Sequence, residues 1–264
     1  MNQQKGRWSD LALRLGSGIS MLVIGVWGVW MGGWIFAAMV STVAALMIWE
    51  FTRLVSPERG ALAAGLSLVA GISLLLATRL PILPALSVLT VAPLIGIWII
   101  DRMVKTYGIY VWLILVAGLG LLLIRATLGV GWMAWFVAVV VATDVFGYFA
   151  GKTIGGPKLW PRLSPKKTWA GAVAGWIGAG LMGTIFSVNS GLTVEVISLS
   201  VALSIASQAG DIVESAIKRH VGVKDASGLI PGHGGMLDRF DGMMGASLFL
   251  MAFAAITGFP EGFL

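Results

Sequence analysis

The chain has 264 residues, of which 58% are hydrophobic and only 11% charged, and its mean hydropathy is +0.92. A water-soluble globule carries about a quarter charged residues, so these proportions exclude a soluble domain, a disordered chain and a solvated coiled coil. Two histidines and no cysteine exclude disulfide scaffolds, iron–sulfur clusters and thiolate or three-histidine zinc sites, which leaves an all-α, polytopic helical membrane protein whose net charge of +6 is informative through its distribution.

In chain order, nine apolar runs are long enough to cross about 30 Å of hydrocarbon: 12–31, 34–51, 61–78, 82–100, 109–126, 130–150, 169–187, 192–213 and 242–259. The first is too long for a cleaved leader and has no small-residue cleavage site before the second. Glu50 lies at the inner end of the second run, where snorkelling and function are equally good readings. Asp144 lies deeper, in the sixth run. A charge near the bilayer centre costs roughly 2.5–3.5 kcal/mol on insertion scales, so Asp144 predicts a cavity or a partner.

The loop 151–168 follows, rich in Gly, Pro and Lys, and carries Lys152, Lys158 and the block Ser164-Pro165-Lys166-Lys167-Thr168-Trp169. Ser164 and Thr168 bracket two lysines where the seventh run begins, and the free N–H groups of a helix start favour phosphate. Gly147-x-x-x-Gly151-Lys152-Thr153 is one residue short of a P-loop and ends a helix, which excludes that reading. Gly147-x-x-x-Gly151 and Gly171-x-x-x-Gly175 fit close helix crossings, within the chain first and in a homodimer second.

In the eighth run, Ser204, Ser207, Asp211, Glu214, Ser215 and Lys218 follow steps of three or four and share one helix face. Asp211 to Lys218 rises about 10 Å, close to the length of a triphosphate. Glu195 at the other end of this run reads as interfacial, and Asp10, Glu58 and Glu261 as solvated charge. The loop 214–241 continues through Arg219, Lys224 and Asp225 to Pro231-Gly232-His233-Gly234-Gly235 and Asp238-Arg239-Phe240-Asp241. Glycines around His233 are expected to let backbone N–H groups approach an anion. Asp238 and Asp241 point the same way at the start of the ninth run, and carboxylates without thiols suit a hard cation, Mg²⁺ first. Beside Lys218, Arg219, Lys224 and Arg239 they form a metal-plus-cation site for polyphosphate.

The basic residues orient the chain. Of the 18 Lys and Arg, all but Arg79 and Arg125 fall on the N-terminal arm or on the loops that share its side. By the positive-inside rule the N-terminus is cytoplasmic and the C-terminus outside. Loops 151–168 and 214–241 are then cytoplasmic parts of one integral membrane domain, 1–264, embedded in the lipid bilayer, and the basic excess needs no nucleic acid to explain it.

Residues 140–242 resemble the phosphatidate cytidylyltransferase (CDP-diglyceride synthase) family. Its pattern appears as Ser215-Ala216-Ile217-Lys218-Arg219, Lys224-Asp225, His233-Gly234-Gly235 and Asp238-Arg239-Phe240-Asp241. Gly210-Asp211-x-x-Glu214, the 164–169 block and Asp144 before Tyr148 and Gly151 match as well. Residues 1–128 match only as hydrophobic helices carrying Trp49-Glu50. Ala170 departs from the usual Glu or Gln, and Val145 from the usual Thr or Ser.

The resemblance implies a nucleotidyltransferase of phospholipid biosynthesis that converts CTP and phosphatidate to CDP-diacylglycerol and pyrophosphate with Mg²⁺. It further implies a bacterial-type cytoplasmic (inner) membrane and an active site facing the cytoplasm. Asp211, Asp238 and Asp241 are then the expected metal ligands, with Lys218 and Arg219 completing the catalytic set. Ser164, Lys166, Lys167, Thr168, Ser215, Lys224, Asp225, His233, Gly234, Gly235 and Arg239, with Asp144 and Glu214, are expected to bind substrate. The rival readings are a CTP-dependent polyprenol kinase, a cytidylyltransferase for another lipid phosphate and, from another class, an anion transporter. Transporters usually carry internal repeats and a mid-membrane site, whereas the polar clusters here lie at one face.

Overall fold

The computed structural model describes residues 2–190, 194–261 and 263, and side chains from residue 15 onward except 189 and 190. The expected N-terminal charges Lys5, Arg7, Asp10 and Arg14 lie outside the described side chains, as does the start of the eighth run at 192. The fold is helical, in two compact units: the chain up to Leu122 with Val223–Phe240, and Leu123–Gly222 with the chain from Asp241 onward.

The first unit contains α1 (Asn2–Met31), α2 (Gly33–Val55), α3 (Gly60–Ala77), α4 (Ile82–Leu89), α5 (Val91–Ile99) and α6 (Val104–Leu123). Only Gly32 separates α1 from α2, the almost loopless hairpin expected there. The expected span 82–100 is one apolar stretch, Ile82–Ile99, built of two helices that meet at Thr90. Pro93 has no N–H to return to Leu89, so the ladder breaks at Thr90. In the core, Phe51 stacks on Tyr107 at 5.4 Å, and the Tyr107 hydroxyl meets Thr52 Oγ1 at 2.8 Å. This contact lets the phenol bury with its oxygen satisfied. Residues 223–236 form a loop that leads into α10 (Leu237–Thr257).

The second unit contains a π-helical turn (Ile124–Leu128), α7 (Gly129–Thr153), α8 (Trp169–Ser190), α9 (Val194–Val221) and α10 from Asp241. Part of the segment expected as a loop at 151–168 is an antiparallel hairpin, β1 (Lys158–Trp160) paired with β2 (Ser164–Thr168). Its strands are too short and too rich in Pro and Lys to show an alternating pattern. Pro165 is tolerated because each strand of a two-stranded sheet has a free edge. Helices α7, α8 and α9 pack on one another, with Trp135 Nε1–H donating to Ser200 Oγ at 2.9 Å.

Among the described residues, seven helical stretches are long and apolar enough to cross a membrane, from Gly33–Val55 to Leu237–Thr257, and Leu15–Met31 is a shorter apolar stretch. The expected spans 109–126 and 130–150 fall in one continuous helical run, Val104–Thr153. Large apolar side chains on these helices are uncovered, as at Trp98 (89% exposed) and Ile256 (84%). Such surface belongs in lipid rather than water, and the chain is a multi-pass membrane protein.

Candidate active site

In the second unit the site begins with a close crossing of α7 and α8. A Cβ added to Gly171 would sit 2.7 Å from the Gly147 carbonyl and 3.4 Å from Gly151 Cα. One added to Gly175 would meet the Thr143 carbonyl at 3.0 Å. Both expected glycine motifs therefore serve packing within the chain. Gly155 (φ 67°) and Gly156 (φ 90°) turn the chain from α7 into the hairpin through the left-handed region. The hairpin is tied at both ends: Trp169 N–H donates to Pro157 O at 3.0 Å, and buried Thr168 Oγ1 accepts the Gly171 N–H at 3.1 Å. Thr168 is thus the N-cap of α8.

Between these elements lies a cavity of about 520 Å³, the size of an ordinary small-molecule site. Asp144, Tyr148 and Lys152 line it from α7, Lys158, Lys166, Lys167 and Thr168 from the hairpin, and Gln208 and Asp211 from α9. Its four lysines outnumber its two carboxylates, so it is electropositive overall. Lys167 Nζ forms an ion pair with Asp211 Oδ2, and Ser215 Oγ donates to Asp211 Oδ1 at 3.3 Å. On α10, Asp241 lies within electrostatic reach of Asp211, Lys167 and Asp144, and it accepts the Gly242 N–H at 2.7 Å. Two glycines allow this approach of α9 and α10. A Cβ on Gly245 would lie 2.9 Å from Gly210 Cα, and one on Gly210 would run into the Asp241 carbonyl.

The polar face of α9 divides by depth. Thr143 Oγ1 and Ser204 Oγ are 2.8 Å apart, and Ser207 Oγ lies where Gly242 leaves room, so these hydroxyls serve helix packing. Toward the other end, Lys218 pairs with Glu214 at 2.6 Å, both buried and neither lining the cavity. Removing one member of such a pair costs roughly 3–5 kcal/mol because the other charge stays buried. Arg219 is exposed on the last turn, and Ser164 opens β2 opposite Trp160 without lining the cavity.

The other expected residues belong to the first unit. Lys224 and Asp225 are exposed. Asp238 accepts the N–H groups of Ala226 at 2.9 Å and Gly235 at 2.8 Å. Glu50 accepts Ser227 Oγ–H at 2.5 Å, Met236 N–H at 3.0 Å and Leu237 N–H at 2.7 Å. The amides after His233 do approach anions, but these are the protein's own carboxylates. The double glycine is required by them: a Cβ on Gly234 would lie 2.8 Å from Asp238 Oδ2, and one on Gly235 2.6 Å from Glu50 Oε1. His233 Nδ1 lies 2.8 Å from Ser17 Oγ, which also donates to Pro231 O, and Arg239 Nε–H donates to the His233 carbonyl at 2.8 Å.

Among the described residues, no three acidic or histidine side chains are gathered closely enough to hold an ion by themselves. Asp211 and Asp241 nevertheless supply hard oxygen donors in one region. Mg²⁺ usually takes one or two carboxylates and completes its shell with water and substrate phosphate, so the donors present fit it. Several cavity residues were not assigned to substrate from the sequence: Lys152, Lys158, Tyr148 and Gln208. Gln208 had a legible signal, since it sits three residues before Asp211 on the same helix. Its amide bridges the Trp176 indole N–H, at 3.1 Å, and the Ala172 carbonyl, at 3.2 Å.

The sequence profile described as the cytidylyltransferase family matches residues 12–257. A phosphatidate cytidylyltransferase of Brucella abortus is 34% identical to the chain over 280 aligned positions, covering 96% of each protein. The phosphatidate cytidylyltransferase of Bacillus subtilis is 43% identical over 128 positions, 47% of this chain and 46% of that one. The protein of the same description from Mycobacterium bovis is 38% identical over 142 positions, 53% and 46% of the two chains.

Proposed function

The chain belongs to the cytidylyltransferase family, and from that premise we propose that it transfers CMP from CTP to phosphatidate, giving CDP-diacylglycerol and pyrophosphate. It is an enzyme, a nucleotidyltransferase of phospholipid biosynthesis. One observation supports this beyond kinship: a membrane protein holds a cavity of about 520 Å³ carrying four lysines and two carboxylates. That composition suits a polyanion better than an apolar or cationic ligand.

The chemistry asks little of a base. The phosphate monoester of phosphatidate is already anionic at neutral pH, so its oxygen attacks the α-phosphorus of CTP directly as the bond to pyrophosphate breaks. The protein must align the two and compensate charge on the departing pyrophosphate. Lys166 and Lys167, with Lys152 and Lys158, take the nucleotide phosphates in this reading. Asp211 holds Lys167 in place through their ion pair. Asp211 and Asp241 are the proposed ligands of Mg²⁺, and Asp238, three residues before Asp241 in the sequence, stays in the proposed set. Bound Mg²⁺ supplies charge compensation on the phosphate oxygens.

The proposed topology has nine crossings with the N-terminus in the cytoplasm. It counts Val104–Thr153 as two, since fifty residues of helix would extend about 75 Å if straight. The cavity then opens to the cytoplasm of a bacterial-type inner membrane, where CTP is found. A homodimer, if formed, uses surfaces other than the two glycine motifs, which α7 and α8 use on each other.

The decisive experiment incubates purified protein with phosphatidate and CTP labelled in either the α- or the γ-phosphate. The α-label should enter the lipid and the γ-label should leave as pyrophosphate; γ-label in the lipid would mean a kinase and end this proposal. Chelation of divalent ions should stop turnover, and added Mg²⁺ should restore it. Lys167→Met should lower kcat/KM for CTP by about 10²-fold, measured in the same assay; a fall of less than about threefold would remove Lys167 from the site.

A further inference from the structure

Glu50 lies on α2, far in sequence from the motifs that carry the chemistry, and its environment is unusual. It is 1% exposed, and among the described residues it makes no ion pair. Arg53, on the next turn, lies over the Trp49 ring at 5.0 Å. A buried carboxylate is costly unless hydrogen bonds or an opposite charge compensate it. Its donors are the Ser227 hydroxyl and the Met236 and Leu237 amides. They come from both ends of the loop that carries His233, Gly234 and Gly235.

Asp238 spans the same gap, from Ala226 N–H on one side to Gly235 N–H on the other. Two carboxylates therefore close the loop at its neck, one from α10 itself and one from α2. Glu50 also serves the two amides at the start of α10, which have no partner within the helix. A negative charge is favoured at that end. Dependence runs both ways: the loop satisfies the Glu50 oxygens, and Glu50 holds the loop and the first turn of α10, where Asp238 lies.

We infer that Glu50 is a positioning residue for the reaction: its carboxylate sets the conformation of the 226–237 loop and the start of α10, and with them His233, Asp238 and Arg239. This rests on the transfer reaction proposed above for its effect on turnover, but its effect on the loop stands apart from that reading. Glu50→Gln keeps the volume and turns one oxygen into an NH₂ group that faces donors. Glu50→Asp keeps the charge and loses a methylene of reach.

The test uses the full-length protein in lipid nanodiscs, with amide hydrogen exchange and CMP transfer measured side by side. In Glu50→Gln, exchange at Met236 and Leu237 should rise at least about tenfold while α8 and α9 keep wild-type protection. Turnover should fall at least about tenfold, more than any loss of folded protein, and Glu50→Asp should recover part of both. Unchanged exchange in the loop would overturn the inference, as would faster exchange with wild-type turnover. Should Glu50→Gln not fold, Ser227→Ala removes a single donor and carries the same two readouts at smaller amplitude. If the wild type transfers no CMP, the reaction assignment fails, while the exchange measurement still decides whether Glu50 holds the loop.

Discussion

Asp211→Asn should insert and fold as the wild type does and transfer CMP about 10³-fold more slowly. Asn is isosteric, so the cavity wall from α9 keeps its shape and Ser215 can still donate to the remaining oxygen. The change removes the charge that pairs with Lys167 and that is proposed to bind Mg²⁺. The Mg²⁺ concentration giving half-maximal rate should rise as turnover falls, and a loss of packing would not move that quantity. Asp241→Asn should behave alike. The double variant should be little worse than either single, because groups that act on one ion are not additive. Wild-type turnover in Asp211→Asn, at normal expression, would remove this residue from the mechanism.

Gly245→Ala should lower both stability and turnover, although the substitution adds only a methyl group. That methyl would fall 2.9 Å from Gly210 Cα and against the Ala206 carbonyl, so backbone rather than a pliable side chain must move. Overpacking of this kind costs about 1–3 kcal/mol, read as a fall in the midpoint of thermal unfolding. Turnover should fall further than stability does, because the same crossing brings Asp211 and Asp241 into electrostatic reach of each other. Gly65→Ala is the control. Nothing lies within 4 Å of the added atom, and inside α3 Ala is favoured over Gly by roughly 0.5–1 kcal/mol. If Gly245→Ala matches Gly65→Ala in melting temperature, the α9–α10 crossing is not as close as described.

Most helices could be read in advance, and the exceptions have local causes. Apolar runs mark crossings because lipid offers no partner to an open backbone. Thr90 interrupts one run because Pro93 withholds an N–H, a detail that hydropathy averages away. The β1–β2 hairpin escaped because three- and five-residue strands of Lys, Pro, Trp and Ser carry no periodic signal. At the site, Lys166, Lys167, Thr168 and Asp211 stood out in the sequence as candidate chemistry, and they line one cavity. The hydroxyls of Ser204 and Ser207 shared the helical spacing of Asp211, yet they serve packing. Spacing places residues on one face of a helix and does not say what that face meets.

Composition and hydropathy alone dictated a membrane-embedded helical chain, because the cost of placing each residue in lipid is largely local and additive along a span. The motif residues likewise carried the donor types from which phosphate and hard-cation binding is proposed, because donor type belongs to the side chain. Partnership was decided by the tertiary structure. Glu50 could be read as snorkelling until the loop donors from Ser227, Met236 and Leu237 appeared around it, and the glycines after His233 turned out to make room for Asp238 and Glu50. Hydrogen bonds between residues nearly two hundred positions apart depend on how helices cross and loops close, and no local pattern encodes that distance.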